Sequence, residues 1–248
     1  MVKGLDTFQK YFADYEEQYV LIGGAACDIL FESNEVNFRA TRDLDMVLIV
    51  EALTPEFGEK FWKFIVDGKY RNKATNGSNP QFYRFDKPED DNFPKMMELF
   101  CRSDFKLKNA KGITPIHIDD EVSSLSAILL NDDYYKALLN GKEVRNGLSV
   151  LRPEYIILFK AKAYLDLQKQ KDLGEKVDSS DIKKHKKDIL RIASELMLEK
   201  VEELPIAVDA DIHSFIDLLE QEPFDQNSLK RYGLKNEEIV ELLKQVFG

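Results

Sequence analysis

Tyr19-Val20-Leu21-Ile22-Gly23-Gly24 and, eighteen residues further on, Asp43-Leu44-Asp45-Met46-Val47-Leu48-Ile49-Val50 decide how this chain is read. Each contains a short apolar run of strand length. The first ends in two glycines, and the pairs Ala25/Ile29 and Ala26/Leu30 predict a helix from about 25 to 31 behind them. On the second, Asp43 and Asp45 stand at i and i+2, so both carboxylates point to one face while Leu44, Met46 and Leu48 take the other. Two like charges held side by side repel, and one carboxyl keeps its proton more tightly unless a cation neutralises the pair. Oxygen-only donors suit Mg²⁺ or Mn²⁺, which take a few carboxylates together with substrate phosphates. A strand that ends in Gly-Gly and feeds a helix leaves backbone N–H groups at a positive helix end, with no side chain to hold a phosphate away. Carboxylates for a cation and N–H groups for phosphates are together what a nucleoside triphosphate (NTP) requires.

Phosphoryl transfer over two metal ions takes a third carboxylate, as a bridge or as a base. Glu98 is the candidate, alone inside the apolar run Met96-Met97-Glu98-Leu99-Phe100, where an unpaired charge is costly. Its alternative reading is a core-edge acid paired with Arg84 or Arg102, and Asp119 is the fallback for the role. Cations for a triphosphate come from the second half of the chain. Lys160 and Lys162 open an otherwise apolar helix, and being two apart they cannot share a face, so one of them is a solvated lysine. In Asp181-Ile182-Lys183-Lys184-His185-Lys186-Lys187-Asp188, helical spacing puts Asp181, Lys184, His185 and Asp188 on one face. Lys184 and Lys187 are candidates to grip phosphates; the bland alternative is a solvated lysine face, with His185 as a surface histidine rather than a base.

Composition sets the outer bounds. The 248 residues, 44% hydrophobic and 32% charged, describe a globular chain long enough to bury a core without a disulfide or metal staple. The net charge of −10 argues against non-specific coating of nucleic acid or an anionic membrane. That charge is uneven: residues 153–193 carry ten Lys/Arg against seven Asp/Glu, and residues 194–248 five against thirteen. No run approaches the roughly 18 apolar residues of a membrane helix, and the first residues carry no signal peptide, so a cytoplasmic protein without membrane association is expected. Cys27 and Cys101 read as reduced core thiols, and three dispersed histidines make a zinc site improbable.

Read along its length, the chain alternates strands and helices in its first half. Helices are expected over 5–17 and from Pro55, and strands over Gln81–Asp86, Lys95–Arg102 and Ile113–Ile118. From Pro153 onward the pattern is helical, with N-caps at Asp178-Ser179-Ser180-Asp181. The boundary is placed near Leu151-Arg152-Pro153, giving an α/β core over 1–152 and a helical domain over 153–248, with the site in the cleft between them.

These motifs resemble the DNA-polymerase-β-like nucleotidyltransferase superfamily, and within it the AbiEii-type enzymes, toxins of bacterial type IV toxin–antitoxin and phage-abortive systems. The Gly-Gly turn and Asp-x-Asp are matched by Gly23, Gly24, Asp43 and Asp45, a Lys-x-x-Ala by Lys160 and Ala163, and a Lys-Asp-x-x-Asp in part by Lys187 and Asp188. The likeness spans most of 18–195. The spacing between Gly24 and Asp43 is longer than the family's usual one, and Arg191 stands where its last acid falls. The resemblance implies a polymerase-β-like core with a mixed sheet, followed by a helical lobe. It implies Mg²⁺-dependent transfer of a nucleoside monophosphate from an NTP, with release of pyrophosphate. The acceptor it implies is RNA such as tRNA, or a protein, in a toxin-like activity with a possible cognate antitoxin. A small-molecule acceptor of the antibiotic-modifying kind is the alternative, and a non-catalytic nucleotide-binding descendant the second alternative.

Overall fold

Tyr19–Ile22 forms strand β1 with all four residues buried, and the chain turns at Gly23 straight into helix α2, Gly23–Glu32. The computed structural model of the chain describes residues 2–32, 43–72, 82–101, 128 and 131–248. Before β1 comes helix α1, Leu5–Phe12. The helix expected over 5–17 stops short because Asp14 turns to φ 72, a left-handed conformation that Asp tolerates, and Glu16–Gln18 continue as a 3₁₀ turn. After α2 come β2 at Asp43–Leu48, helix α3 at Pro55–Asp67, and strands β3 at Arg71–Asn72, β4 at Phe82–Asp86 and β5 at Met96–Cys101. α3 starts as its sequence dictates: Pro55 occupies the first turn, where its missing N–H costs nothing, and the Thr54 hydroxyl accepts from the Phe57 N–H. The expected strand at Ile113–Ile118 lies outside the described residues.

Strands β6, Lys142–Arg145, and β7, Leu148–Leu151, form a hairpin the sequence analysis did not anticipate. Its turn is Asn146-Gly147, both at positive φ, the backbone that a right-twisted two-residue turn demands. Among the described residues seven strands make one mixed sheet in the order β3-β4-β5-β2-β1-β7-β6. β1 runs antiparallel to β2 and parallel to β7, and β2 runs parallel to β5.

An aromatic layer covers one face of this sheet. Phe8 and Phe12 of α1 stack at 4.5 Å, Phe12 meets Phe57 of α3 at 5.6 Å, and Phe61 of α3 meets Phe85 of β4 edge-on at 5.5 Å. Such pairs add about 0.5–1.5 kcal/mol each beyond their buried area. Because strand side chains alternate, Arg84 lies on the face opposite Phe85, and the polar residues of β2 and β5 lie there with it.

The chain groups into two compact units, 1–119 with 142–152, and 120–141 with 153–248. Helix residues 132–140 group with the helical unit, while the β6–β7 hairpin groups with the sheet. The helical unit holds α4 at Asp132–Asn140, α5 at Pro153–Asp172, α6 at Ser179–Glu195, α7 at Ile206–Gln221, α8 at Gln226–Tyr232 and α9 at Asn236–Phe247. Asn131 caps α4 and Asp178 caps α6. α6 and α7 both pack on α5, and α9 packs on α7. The first turns of α5, Pro153 to Ala161, are buried on every side, Lys160 included. Among the described residues no helix is long and apolar enough to cross a membrane.

Candidate active site

The carboxylates of interest stand on neighbouring strands. Asp43 and Asp45 alternate with buried Leu44 and Met46 along β2, so both are half-buried on one face. The parallel register of β2 and β5 sets Asp45 opposite Glu98, and the antiparallel register of β4 and β5 sets Glu98 opposite Arg84. Arg84, Glu98 and Asp45 therefore form one row across three strands, with Asp43 beside it.

Within the row, Arg84 binds Glu98 firmly. Its Nε and Nη2 both donate to Glu98 Oε1, at 2.7 and 2.6 Å. Glu98 is 6% exposed. Burial raises its carboxyl above the ordinary range; Arg84 pulls it down, Asp43's charge pushes it further up, and a hydrogen bond with Asp45 pulls it down, leaving it raised. Of the two sequence readings for Glu98, the pairing is with Arg84, and Arg102 lies outside the described residues.

The glycine turn meets this row from β1. Ile22 registers with Asp45, and Gly23 follows at φ +61. A Cβ on Gly23 would sit 2.3 Å from Asp45 Oδ2. Glycine is thus required twice, by backbone conformation and by the carboxylate lying against it. Gly24 is buried within α2.

In the helical unit the structure brings together Lys160 and Asp188. Lys160 Nζ donates to Asp188 Oδ2 at 2.7 Å, both side chains being buried, so α5 and α6 are joined by an internal ion pair. Lys162 faces elsewhere, between Asp166 at 3.0 Å and Asp211 at 3.2 Å. Asp181, Lys184, His185 and Asp188 do share the inward side of α6, but His185 is buried rather than the surface histidine expected, because that side packs on α5. Lys184 is half-buried and Lys187 is exposed on another side of the helix. Arg191 pairs with Glu195 at 3.1 Å. Asp119, Thr41 and Arg42 lie outside the described residues.

As the side chains stand, no three His, Cys, Asp or Glu among the described residues converge closely enough to hold one ion. The donor chemistry nonetheless fits a hard divalent cation at Asp43 and Asp45: oxygen ligands only, side by side, next to a third carboxyl whose proton affinity Asp43's charge increases. Glu98 is committed to Arg84 and joins such a site only by sharing that contact. The residue whose place the sequence left undecided is Arg84; its position two strands from Asp45 follows from register.

No protein-family signature matches the chain, and no curated protein matches it in sequence. Among solved structures, one that is similar is the crystal structure of an antigenic nucleotidyltransferase-like protein from Paracoccidioides brasiliensis. It is 15% identical, with 94% of this chain and 96% of that chain covered and a TM-score of 0.41. At that distance the likeness carries no argument about function.

Proposed function

We propose that this chain is a nucleotidyltransferase that moves a nucleoside monophosphate from an NTP to an acceptor hydroxyl. The observation that carries the reading is the cross-strand carboxylate group Asp43, Asp45 and Glu98, with Gly23 pressed against Asp45. Asp43 and Asp45 hold Mg²⁺ or Mn²⁺, which when bound supplies positive charge to the phosphates and to the developing charge of the reaction. The N–H groups of Gly23 and Gly24, at the start of α2, face phosphate oxygens. Glu98, whose burial raises its proton affinity, takes the acceptor's proton as the new oxygen–phosphorus bond forms and the bond to pyrophosphate breaks.

The finer reading is AbiEii-like and toxin-like. It has RNA such as tRNA, or a protein, as acceptor, a cognate antitoxin as partner and the NTP-rich cytoplasm as its place. A small-molecule acceptor differs only in what enters beside Glu98. A non-catalytic nucleotide-binding protein is favoured by one observation, the Arg84–Glu98 contact, which occupies the proposed base.

The test is to incubate the full chain with Mg²⁺ and each α-labelled NTP, offering RNA, cell protein and small-molecule extract separately. Label in one fraction, lost in Asp43→Asn, supports transfer and identifies the acceptor class. NTP binding without label in any fraction supports the binding-only reading. No Mg²⁺-dependent NTP binding overturns both.

A further inference from the structure

A second feature lies wholly within the helical unit. A pocket of about 500 Å³ opens between the C-terminal half of α5, the outer side of α6 and the segment 222–228. That volume is in the range of small-molecule sites. Lys171, Lys183, Lys186 and Lys187 line it. The lining acids are Glu222 and Asp225, a balance of four positive against two negative.

Both acids have neutral neighbours. Burial and the nearby Glu222 carboxylate raise the proton affinity of the Tyr164 hydroxyl. Asp225 caps α8, accepting from the Ser228 N–H at 2.9 Å and the Ser228 hydroxyl at 3.0 Å. Asp225 keeps its charge and feels that of Lys187, and Glu222 acts on Lys186, so the lining retains a surplus of two positive charges; among the described residues Lys171, Lys183 and Lys187 stand outside every salt bridge. Lys186 is half-buried: its ammonium lies 5.7 Å from the Tyr164 ring centroid and 5.6 Å from that of Phe224, and it donates to the Glu222 carbonyl. Burial lowers its proton affinity, with Glu222's charge opposing. A partly desolvated cation gains more from an incoming anion than a fully solvated one does.

The pocket floor is apolar, built on Ile182, Leu190 and Phe224. Lysines are compact point charges that suit a phosphate, and an apolar floor between them suits a flat organic body. We propose that this pocket binds a small phosphomonoester carried on an aromatic or heterocyclic body, with the phosphate among Lys171, Lys183, Lys186 and Lys187 and the ring on the floor. The inference does not rest on the transferase reading.

The test is calorimetric titration of the full chain, without NTP or metal, using phenyl phosphate, inorganic phosphate and phenol as probes. Saturable one-to-one binding of phenyl phosphate is expected, tighter than inorganic phosphate, with phenol not binding. Lys171→Glu/Lys183→Glu, two exposed positions whose replacement leaves the fold intact by circular dichroism, weakens it about tenfold or more, and added salt weakens it too. Asp43→Asn leaves it unchanged. The proposal is overturned by non-saturable binding, by equal affinity for phenyl phosphate in the doubly reversed variant, or by its loss in Asp43→Asn.

Discussion

Replacing Gly23 by alanine tests the geometry of the carboxylate row directly. The substitution has two separable costs. At φ +61 an alanine meets the left-handed penalty, about 1–2 kcal/mol. Its Cβ would also lie 2.3 Å from Asp45 Oδ2, inside any tolerable contact, so the carboxylate must leave its place. Pushing a side chain off its preferred rotamer costs about 0.5–1.5 kcal/mol. Gly147 provides the control within the same sheet unit. It has φ +69, but its added Cβ meets only the Gln9 side-chain amide, at 3.1 Å, which can swing aside. Gly147→Ala should therefore lose about 1–2 kcal/mol, and Gly23→Ala about 2–3 kcal/mol. Urea unfolding of the two variants resolves a difference of that size. Only Gly23→Ala displaces Asp45, so only it should lose Mg²⁺-dependent label transfer or NTP binding. Equal midpoints in the two variants, with full function in Gly23→Ala, refute the placement of Asp45 against the turn.

Glu98→Gln keeps an oxygen for Arg84 and removes the titration. Because the folded chain holds the Glu98 proton more tightly than an unfolded one, the native protein should match this variant in acid. It should lose stability relative to it as pH rises from the ordinary Glu value, about 4.3, through the raised folded value. Parallel stability profiles across that window count against the burial of Glu98. Lys160→Met removes one partner of a buried charge pair and should cost about 3–5 kcal/mol, whereas Lys160→Met/Asp188→Leu should recover most of that loss. Thermal melts that show additive losses in the double variant refute the pairing.

What the sequence made legible was local. Tyr19–Ile22, the alternation of Asp43 and Asp45 with Leu44 and Met46, Pro55 in the first turn of α3 and Asp178 at the start of α6 each depend on neighbours a few residues away. What stayed hidden depends on register and packing. Glu98 and Asp45 lie 53 positions apart in the chain, and only the parallel pairing of β2 with β5 sets them opposite. The choice of Arg84 as Glu98's partner follows from the same pairing one strand further on. In the sequence Lys160 read as a cation for the triphosphate and His185 as a surface histidine; both are buried because α5 and α6 turn those sides toward each other. The β6–β7 hairpin carries one local signal, the Asn146-Gly147 turn, but its first strand, Lys142–Arg145, is mostly charged and lacks the apolar alternation of a strand.

The two buried charge pairs differ in what they leave for a ligand, and that difference decides where the chemistry is to be sought. Lys160 and Asp188 form an enclosed pair, and an anion that recruited Lys160 would draw it away from Asp188. On the sheet Arg84 contacts Glu98, with Asp45 beside it in register and Asp43 near. Glu98 stays raised even with both Arg84 contacts in place, and Asp43's charge contributes to that. Added positive charge lowers the energy of this row, while added negative charge gains nothing at the Lys160 pair. A divalent cation therefore has its energetic reason at Asp43 and Asp45, and Lys160 holds α5 to α6 before it holds any phosphate. Mg²⁺ titration of Asp188→Asn should follow the parent curve and that of Asp45→Asn should not; a shift of the same size in both would mean that the two charge centres act as one.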